Sequence, residues 1–221
     1  GAWAIGGWQW GGTDEEAAVA AIRAGVEAGM SAIDTAPIYG FGRSEELVAR
    51  AIDGRRDQVQ VLTKAGLRWD AEEGELAYDG SGDGGRRLRI FRNGRPASLR
   101  HEVHSSLRRL GVDVIDLIQL HWPDRTTPVA ESLGALGDLR REGLVRAVGV
   151  SNFTPEQLDE ARRALGDVPL ASTQERYSLV DRGIEAGALR WAREHEVGVL
   201  AYSPLEQGLL TGRVSSQRRF P

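Results

Sequence analysis

Short apolar runs alternate with longer stretches of helical periodicity along this chain. The helical pattern, with apolar residues three or four positions apart, covers 15–28, 44–52, 99–110, 128–142, 155–165 and 183–195. Runs rich in Val, Ile and Leu lie between them, at 31–33, 58–63, 114–120, 145–150, 170–173 and 197–201. Apolar strands alternating with helices predict βαβ units in a parallel sheet that is buried on both faces.

The number of these units indicates the fold class. Six or seven βα units in one chain favour a (β/α)8 barrel, the TIM-barrel architecture, over a doubly wound sheet. The G-x-G-x-x-G turn expected after the first strand of a dinucleotide-binding doubly wound sheet is absent. We therefore interpret residues 1–221 as a single α/β barrel domain. Because the chain ends soon after the last expected strand, at 197–201, we expect the barrel to be incompletely represented at its C-terminal end.

Each apolar run ends at a polar side chain. The carboxyl ends of parallel barrel strands converge on one face, which is where barrel active sites are built. Six strands that end in chemically compatible groups predict a functional site on that face. The six residues are Asp34, Lys64, His121, Ser151, Gln174 and Tyr202.

The stretch 67–96 interrupts the alternation. It contains a glycine-rich run at 79–85, followed by a basic run at 86–95. A connection of this length is too long for a simple βα turn, so we expect a long loop on the active face, either a functional lid or a mobile insertion. The basic run is most simply a solvated surface.

Composition narrows the classes of function. The formal net charge of −4 gives no electrostatic reason to bind nucleic acid or an anionic membrane. Without cysteine, disulfides and thiolate metal sites are excluded, and we expect no metal. No apolar run approaches the roughly 20 residues that span a bilayer, and no signal peptide is apparent, so we expect a cytoplasmic protein.

Lys64 is the only lysine among 28 basic residues. Arginine stays protonated at any workable pH, whereas lysine carries a compact charge with a tunable pKa. A single lysine at the end of a predicted barrel strand is therefore a candidate catalytic group.

Several motifs resemble those of the aldo-keto reductases, and they occur in the family order. They are Asp-Thr-Ala-Pro-Ile-Tyr-Gly at 34–40, the strand that ends in Lys64, Asp-Leu-Ile-Gln-Leu-His-Trp-Pro at 116–123, Gly-Val-Ser-Asn-Phe at 149–153, Gln174, and Tyr-Ser-Pro-Leu at 202–205. The resemblance extends over nearly the whole chain, from Gly1 to Arg213. It implies reduction of aldehydes and ketones to alcohols by hydride transfer from NADPH.

The resemblance assigns four catalytic residues, and chemical reasoning supports each role. Tyr39 is the general acid, and a neighbouring Lys64 ammonium is expected to lower its pKa from about 10. Asp34 keeps Lys64 charged and in place. His121 donates a hydrogen bond that orients and polarises the substrate carbonyl.

The resemblance also implies a nicotinamide cofactor site. Ser151, Asn152 and Gln174 bind the carboxamide, Tyr202 stacks on the nicotinamide ring, and Ala2 and Trp3 lie near the ribose. Asp34 is also a cofactor-binding residue. A loop of small and apolar residues approaches the pyrophosphate, and it consists of Ser203, Pro204, Leu205, Gln207, Gly208 and Leu209. The family segment that recognises the adenosine 2′-phosphate has no counterpart here, so the preference for NADPH over NADH rests on family habit.

Tryptophans at or beyond the strand ends are candidates for the wall of a substrate pocket: Trp3, Trp8 or Trp10, Trp69 and Trp122. For the small-molecule carbonyl substrate, an aromatic rim with few charges favours apolar aldehydes or ketones, with quinones and sugars as alternatives. The competing interpretation is that several of these tryptophans only pack in the core or in a lid. Two alternatives stay open: a Schiff-base lyase or aldolase that uses Lys64, and a cofactor-binding regulatory subunit of the same fold, like the potassium-channel β subunits. The sequence leaves open whether the protein is a monomer or a homo-oligomer.

Overall fold

The computed structural model of the chain describes residues 1–82 and 85–215. In this part of the chain six parallel strands form one sheet in chain order. They are β1 (Ala32–Asp34), β2 (Gln60–Ala65), β6 (Ile115–Leu120), β7 (Val145–Ser151), β8 (Leu170–Arg176) and β9 (Gly198–Tyr202). All six were predicted from the apolar runs, with ends that differ by at most three residues.

Helices connect the strands, and their ends follow local sequence signals. The helices are α1 (Glu15–Glu27), α2 (Arg43–Ile52), α3 (Pro96–Leu110), α4 (Val129–Arg141), α5 (Pro155–Leu165) and α6 (Ala188–Glu194). Asp14 caps α1 by accepting a hydrogen bond from the Ala17 amide. Thr154 and Gln157 form a reciprocal capping box at the start of α5.

The expected helix 183–195 is divided. A short 3₁₀ helix covers Gly183–Ala186, and α6 begins only after Gly187. Gly187 has φ −126° and ψ −100°, which is outside the helical region, so it separates the two pieces.

The core lies between the sheet and the helices. Strand residues such as Val61, Ile118 and Val148 are fully buried, as are Leu99 of α3 and Leu133 of α4. The parallel strands are covered by helices and therefore read as continuous apolar runs in the sequence.

A hydrogen bond across the interior shows that the sheet is strongly curled. Gln174 Nε2, on β8, donates to Asp34 Oδ1, on β1, over 2.9 Å. These strands are four places apart in the sheet order, which in a flat sheet would separate them by about 19 Å. The six strands therefore curve into a half-barrel, as expected for part of a (β/α)8 fold.

The segment 67–96 is more regular than the sequence analysis expected. It contains a second, antiparallel sheet of β3 (Leu67–Arg68), β4 (Glu75–Ser81) and β5 (Arg87–Arg92), in the order β3-β5-β4. The basic run is not simply a solvated surface, because Ile90 and Phe91 of β5 are buried. Residues 83 and 84 of the glycine-rich run lie outside the described residues.

Among the described residues, no helix combines the length and the apolar composition that a membrane crossing requires.

Candidate active site

A cleft of about 1120 Å³ opens at the carboxyl ends of the parallel strands. Its floor includes Asp34, Tyr39 and His121, and its other side includes Ser151, Asn152, Gln174 and Tyr202. The structure therefore brings the residues that end five of the predicted strands to one cavity. The sixth, Lys64, lies directly beneath the floor and is 1% exposed.

Lys64 is held by three hydrogen bonds. Its Nζ donates to both carboxylate oxygens of Asp34 and to the backbone oxygen of Thr35, each at 2.9 Å. Burial acts against the positive charge, but Tyr39 and Asp34 outweigh it, and the pKa of Lys64 is raised above its ordinary value. Lys64 is therefore a fixed ammonium rather than a free amine.

Tyr39 lies above this ammonium, in the turn between β1 and α2. Lys64 Nζ is 4.9 Å from the centre of the Tyr39 ring. Gly40 allows the turn to pack closely on the start of the chain: its φ is +64°, and an added Cβ would lie 2.0 Å from the Gly6 oxygen. The Pro-Ile-Tyr-Gly sequence thus fixes the position of the phenol.

The direction of the Tyr39 pKa differs from the sequence-based expectation. Burial raises this pKa more than the charge and hydrogen bond of Lys64 lower it, and Asp34 also raises it. The pKa of Tyr39 is therefore above its ordinary value. The expected net lowering by Lys64 is wrong for this arrangement because the cost of placing a phenolate in a buried site exceeds the gain from one ammonium.

His121 completes the floor. Its ring meets the Tyr39 ring edge to face, with 6.0 Å between the ring centres and 85° between the planes. Burial, assisted by the Lys64 charge, lowers the pKa of His121 well below its usual value. The imidazole is therefore neutral near pH 7 and has one N–H to donate.

A network of amides and hydroxyls forms the opposite wall. Asn152 Nδ2 donates to the His121 backbone oxygen over 3.1 Å and to Ser151 Oγ over 2.9 Å. The Tyr202 hydroxyl donates to Asn152 Oδ1 over 2.8 Å, and Ser151 Oγ donates to the Gln174 backbone oxygen over 2.7 Å. Asn152 has φ +63°, a conformation that asparagine tolerates better than most residues.

The remaining predicted cofactor residues are distributed around the cleft. Trp3, Ser203, Pro204, Leu205, Gln207 and Gly208 line it. Ala2 is buried and is not among the lining residues. Its backbone nitrogen donates to the Asp34 backbone oxygen, and its backbone oxygen accepts a hydrogen bond from Ser44 Oγ. Leu209 is also absent from the lining and is 54% exposed.

Aromatic rings form the outer wall. Trp3, Trp8, Trp10 and Trp122 line the cleft, whereas Trp69 does not and instead packs near Phe41, at 5.6 Å between ring centres. The antiparallel sheet adds five lining residues that were not predicted from the sequence: Leu67, Ala77, Tyr78, Ile90 and Arg92. The alternation of Arg with Leu and Ile in β5 was the available signal.

A nicotinamide would fit this donor set. Its carboxamide needs both hydrogen-bond donors and acceptors, which the side chains of Ser151, Asn152 and Gln174 carry. The Tyr202 ring offers a flat face on the same wall, and the cleft volume exceeds what a mononucleotide-sized group requires.

Comparison with characterised proteins agrees with the geometry. The chain is 41% identical to aldo-keto reductase YhdN of Bacillus subtilis, over 100% of this chain and 61% of the relative. It is 40% identical to the NADH-specific methylglyoxal reductase of Escherichia coli, over 97% of this chain and 65% of the relative. The chain thus spans less than two thirds of the length of these relatives.

Solved structures give the same result. The glycerol dehydrogenase AKR11B4 of Gluconobacter oxydans matches with a TM-score of 0.87 and 46% identity, over 99% of this chain and 63% of that one. An aldo/keto reductase of Klebsiella pneumoniae in complex with NADP and acetate matches with a TM-score of 0.69 and 33% identity, over 91% and 62% of the two chains. The sequence profile of the Aldo/keto reductase family matches residues 1–221. The chain belongs to the aldo/keto reductase family.

Proposed function

We propose that this chain provides the active face of an oxidoreductase that reduces aldehydes or ketones to alcohols with a nicotinamide cofactor. The observation that carries the proposal is the arrangement of Tyr39 above the Lys64–Asp34 ion pair and against the edge of His121, at the floor of one cleft. When bound, the reduced nicotinamide supplies the hydride that adds to the carbonyl carbon.

The phenol of Tyr39 is the proton donor in this proposal. Its raised pKa keeps the hydroxyl protonated at neutral pH, so a proton is available for the oxygen of the developing alkoxide. Loss of that proton leaves a phenolate beside Lys64, whose charge stabilises it. Asp34 holds Lys64 in place through two hydrogen bonds.

Neutral His121 donates a hydrogen bond to the substrate oxygen and orients it toward Tyr39. A neutral ring serves here because it polarises the carbonyl without competing with Tyr39 as the proton source. The edge-to-face contact between the two rings fixes their relative position.

The wall opposite Tyr39 is proposed as the nicotinamide site. Asn152, Ser151 and Gln174 are proposed to bind the carboxamide, and Tyr202 to stack on the ring. The loop from Ser203 to Leu209 is proposed to approach the pyrophosphate, with Ala2 and Trp3 near the ribose. We propose NADPH as the preferred cofactor on the strength of the family resemblance; one relative is named as NADH-specific and one related structure contains NADP.

The geometry disfavours a Schiff-base mechanism. That chemistry requires a neutral, accessible amine, whereas Lys64 is buried, charged and bonded to Asp34 and Thr35. A regulatory role for the same fold would predict cofactor binding without repeated turnover, which the experiment below measures.

The test follows NADPH and NADH absorbance with a panel of aldehydes, ketones and quinones, for the wild type and for Tyr39→Phe. We expect turnover by the wild type and a loss of at least about 100-fold in Tyr39→Phe, with cofactor affinity retained. Tyr78→Phe is the control, because Tyr78 also lines the cleft but its hydroxyl bonds to the Ser81 oxygen. Equal turnover by wild type and Tyr39→Phe would contradict the assignment of the acid.

A further inference from the structure

The charges on the cleft wall are unevenly compensated. Among the described lining residues, Asp34 and Arg92 are the only charged side chains. Asp34 is already neutralised by its ion pair with Lys64. Of the described lining side chains, Arg92 is therefore the one with an uncompensated charge that a substrate would meet.

Arg92 is held rigidly on the wall by two contacts. It ends β5, and its guanidinium carbon lies 4.9 Å from the centre of the Trp122 ring. Its Nη1 donates to Glu75 Oε1 over 3.2 Å. Stacking on an aromatic face with a further hydrogen bond fixes the plane of a guanidinium, so little conformational freedom is lost when an additional acceptor binds.

The hydrogen-bonding capacity of Arg92 is not filled. Within the described residues, Arg92 Nη2 makes no hydrogen bond to protein and is not buried, whereas Nε has no partner but is buried, so Nη2 is the donor open to a ligand. A guanidinium has five N–H donors arranged for two-point binding of a carboxylate. The geometry therefore leaves this side chain able to accept a second anionic partner.

Glu75 does not cancel the charge of Arg92, because the Glu75 carboxylate is shared between Arg92 and Arg125. Glu75 also accepts hydrogen bonds from Arg125: from the backbone nitrogen over 3.2 Å, from Nε over 2.8 Å, and from Nη2. One carboxylate between two guanidinium groups leaves the local charge positive. Arg125 is 80% exposed, whereas Arg92 is 26% exposed and faces the cleft.

Arg92 also lies on the correct side of the cleft. Trp122, on which it stacks, directly follows His121 in the sequence. His121, Trp122 and Arg92 all line the same cleft, so a substrate whose carbonyl oxygen meets His121 can extend along the wall that contains Trp122 and Arg92. We propose that Arg92 is a specificity-determining residue that binds a carboxylate on the carbonyl substrate, so that the site favours carboxylate-bearing aldehydes or ketones over neutral ones. The proposal rests on the carbonyl reduction proposed above.

Two matched substrates isolate the effect: 4-carboxybenzaldehyde, and its neutral methyl ester, methyl 4-formylbenzoate. The quantity compared is the ratio of kcat/KM for the acid to kcat/KM for the ester, because losses common to both substrates cancel in it. We expect Arg92→Gln to lower this ratio by about tenfold or more, mainly through KM for the acid. Arg92→Lys, which keeps the charge, should restore part of the preference.

Arg87→Gln is the matched control. Arg87 lies on the same strand, is 72% exposed and pairs with Asp79 outside the cleft. The acid-to-ester ratio of kcat/KM in Arg87→Gln should therefore equal that of the wild type. If Arg92→Gln does not fold, Arg92→Met keeps the aliphatic stem on Trp122 and gives the same comparison. An unchanged ratio in a folded neutral variant overturns the proposal, as does an equal loss for both substrates.

Failure of the proposed function gives a different result. In that case the wild type reduces neither aldehyde with NADPH or NADH. Binding of benzoate, measured by calorimetry, then still examines Arg92: a loss of affinity in Arg92→Gln but not in Arg87→Gln supports the carboxylate site, and equal affinities overturn it.

Discussion

Gln174 and Asp34 are 140 residues apart in sequence, yet Gln174 Nε2 donates a hydrogen bond to Asp34 Oδ1 over 2.9 Å. The same carboxylate accepts two hydrogen bonds from Lys64 Nζ, one at each of its oxygens. Asp34 therefore joins the first strand of the curled sheet to the fifth and at the same time fixes the ammonium beneath Tyr39. Its substitution should affect both stability and chemistry.

We predict that Asp34→Asn destabilises the protein by about 3 kcal/mol, because it leaves the buried Lys64 charge without its counterion. The amide is nearly isosteric with the carboxylate, so the loss reports charge rather than packing. Urea denaturation of wild type and variant measures it. Asp79→Asn, which breaks the exposed pair with Arg87, should change stability little. Equal effects of the two substitutions would contradict the buried ion pair.

We predict that His121 makes the stability of the protein fall as the pH drops below about 6.5. The folded pKa is lowered by burial and by Lys64, so below about pH 6.5 the unfolded chain takes up a proton that the folded ring refuses. This contribution has a slope of up to about 1.4 kcal/mol per pH unit. Denaturation of wild type and His121→Gln between pH 5 and 8.5 isolates it.

The difference in unfolding free energy between His121→Gln and wild type should change with pH below 6.5 and be constant above pH 7.5, where the ring is neutral in both states. A constant difference throughout would mean that His121 titrates alike in the folded and unfolded chains.

The strands of the main sheet could be predicted because burial on both faces gives them uninterrupted apolar runs. The convergence of Asp34, Tyr39 and His121 followed from barrel topology, which brings all strand ends to one face. The antiparallel sheet was not predicted, because the alternation of Arg with Leu and Ile in β5 lies within a basic run that was interpreted as a solvated surface. Gly-rich and charged composition alone indicated a loop.

Predictions made from one pair of residues, or from one position in the sequence, were wrong where burial among tertiary neighbours determines the pKa or the side-chain position. A lysine beside a tyrosine suggests a lowered phenol pKa, but the enclosed position of Tyr39 reverses the net direction. Trp69 is a similar case, since its position beyond the strand that ends in Lys64 suggested the pocket, whereas its ring packs near Phe41 and does not line the cleft. Desolvation and side-chain direction depend on tertiary neighbours that a single sequence does not name.

We predict that Glu102 contributes a pH dependence of the opposite sign to that of His121. This carboxyl is buried under the β2–β3 junction, where it accepts hydrogen bonds from the Gly66 amide over 3.0 Å and Ser98 Oγ over 3.3 Å. Burial raises the pKa of Glu102 to about 7. Between about pH 4.5 and 7 the folded state therefore holds the proton more tightly, and this contribution to stability is lost as the pH rises.

Glu102→Gln replaces the carboxyl with an amide that does not titrate, so the variant does not lose this stability as the pH rises. Its stability relative to wild type should increase between pH 5 and pH 8, by as much as about 3 kcal/mol for a shift of this size. Denaturation curves at a series of pH values measure the difference. A difference that stays flat across this range would show that Glu102 is ionised at pH 5 in the folded protein.

We predict that a second buried ion pair, Arg109 with Glu45, supports the strand that carries Lys64. Glu45 is fully buried; its Oε2 accepts from Arg109 Nε over 2.6 Å and its Oε1 from Thr63 Oγ1 over 2.7 Å. Arg109→Met would leave the Glu45 charge buried without a cation, at a cost of about 3–5 kcal/mol.

The double variant Arg109→Met with Glu45→Gln removes both charges and should recover a large part of that loss, because the penalty comes from the unpaired charge and not from the missing bond. Thr63 immediately precedes Lys64, so the single variant should also slow carbonyl reduction, through displacement of the ammonium, and the double variant should regain activity together with stability. Urea denaturation and steady-state kinetics on the wild type, the two single variants Arg109→Met and Glu45→Gln, and the double variant measure the coupling. Additive losses, with the double variant the least stable of the four, would show that Arg109 and Glu45 act independently.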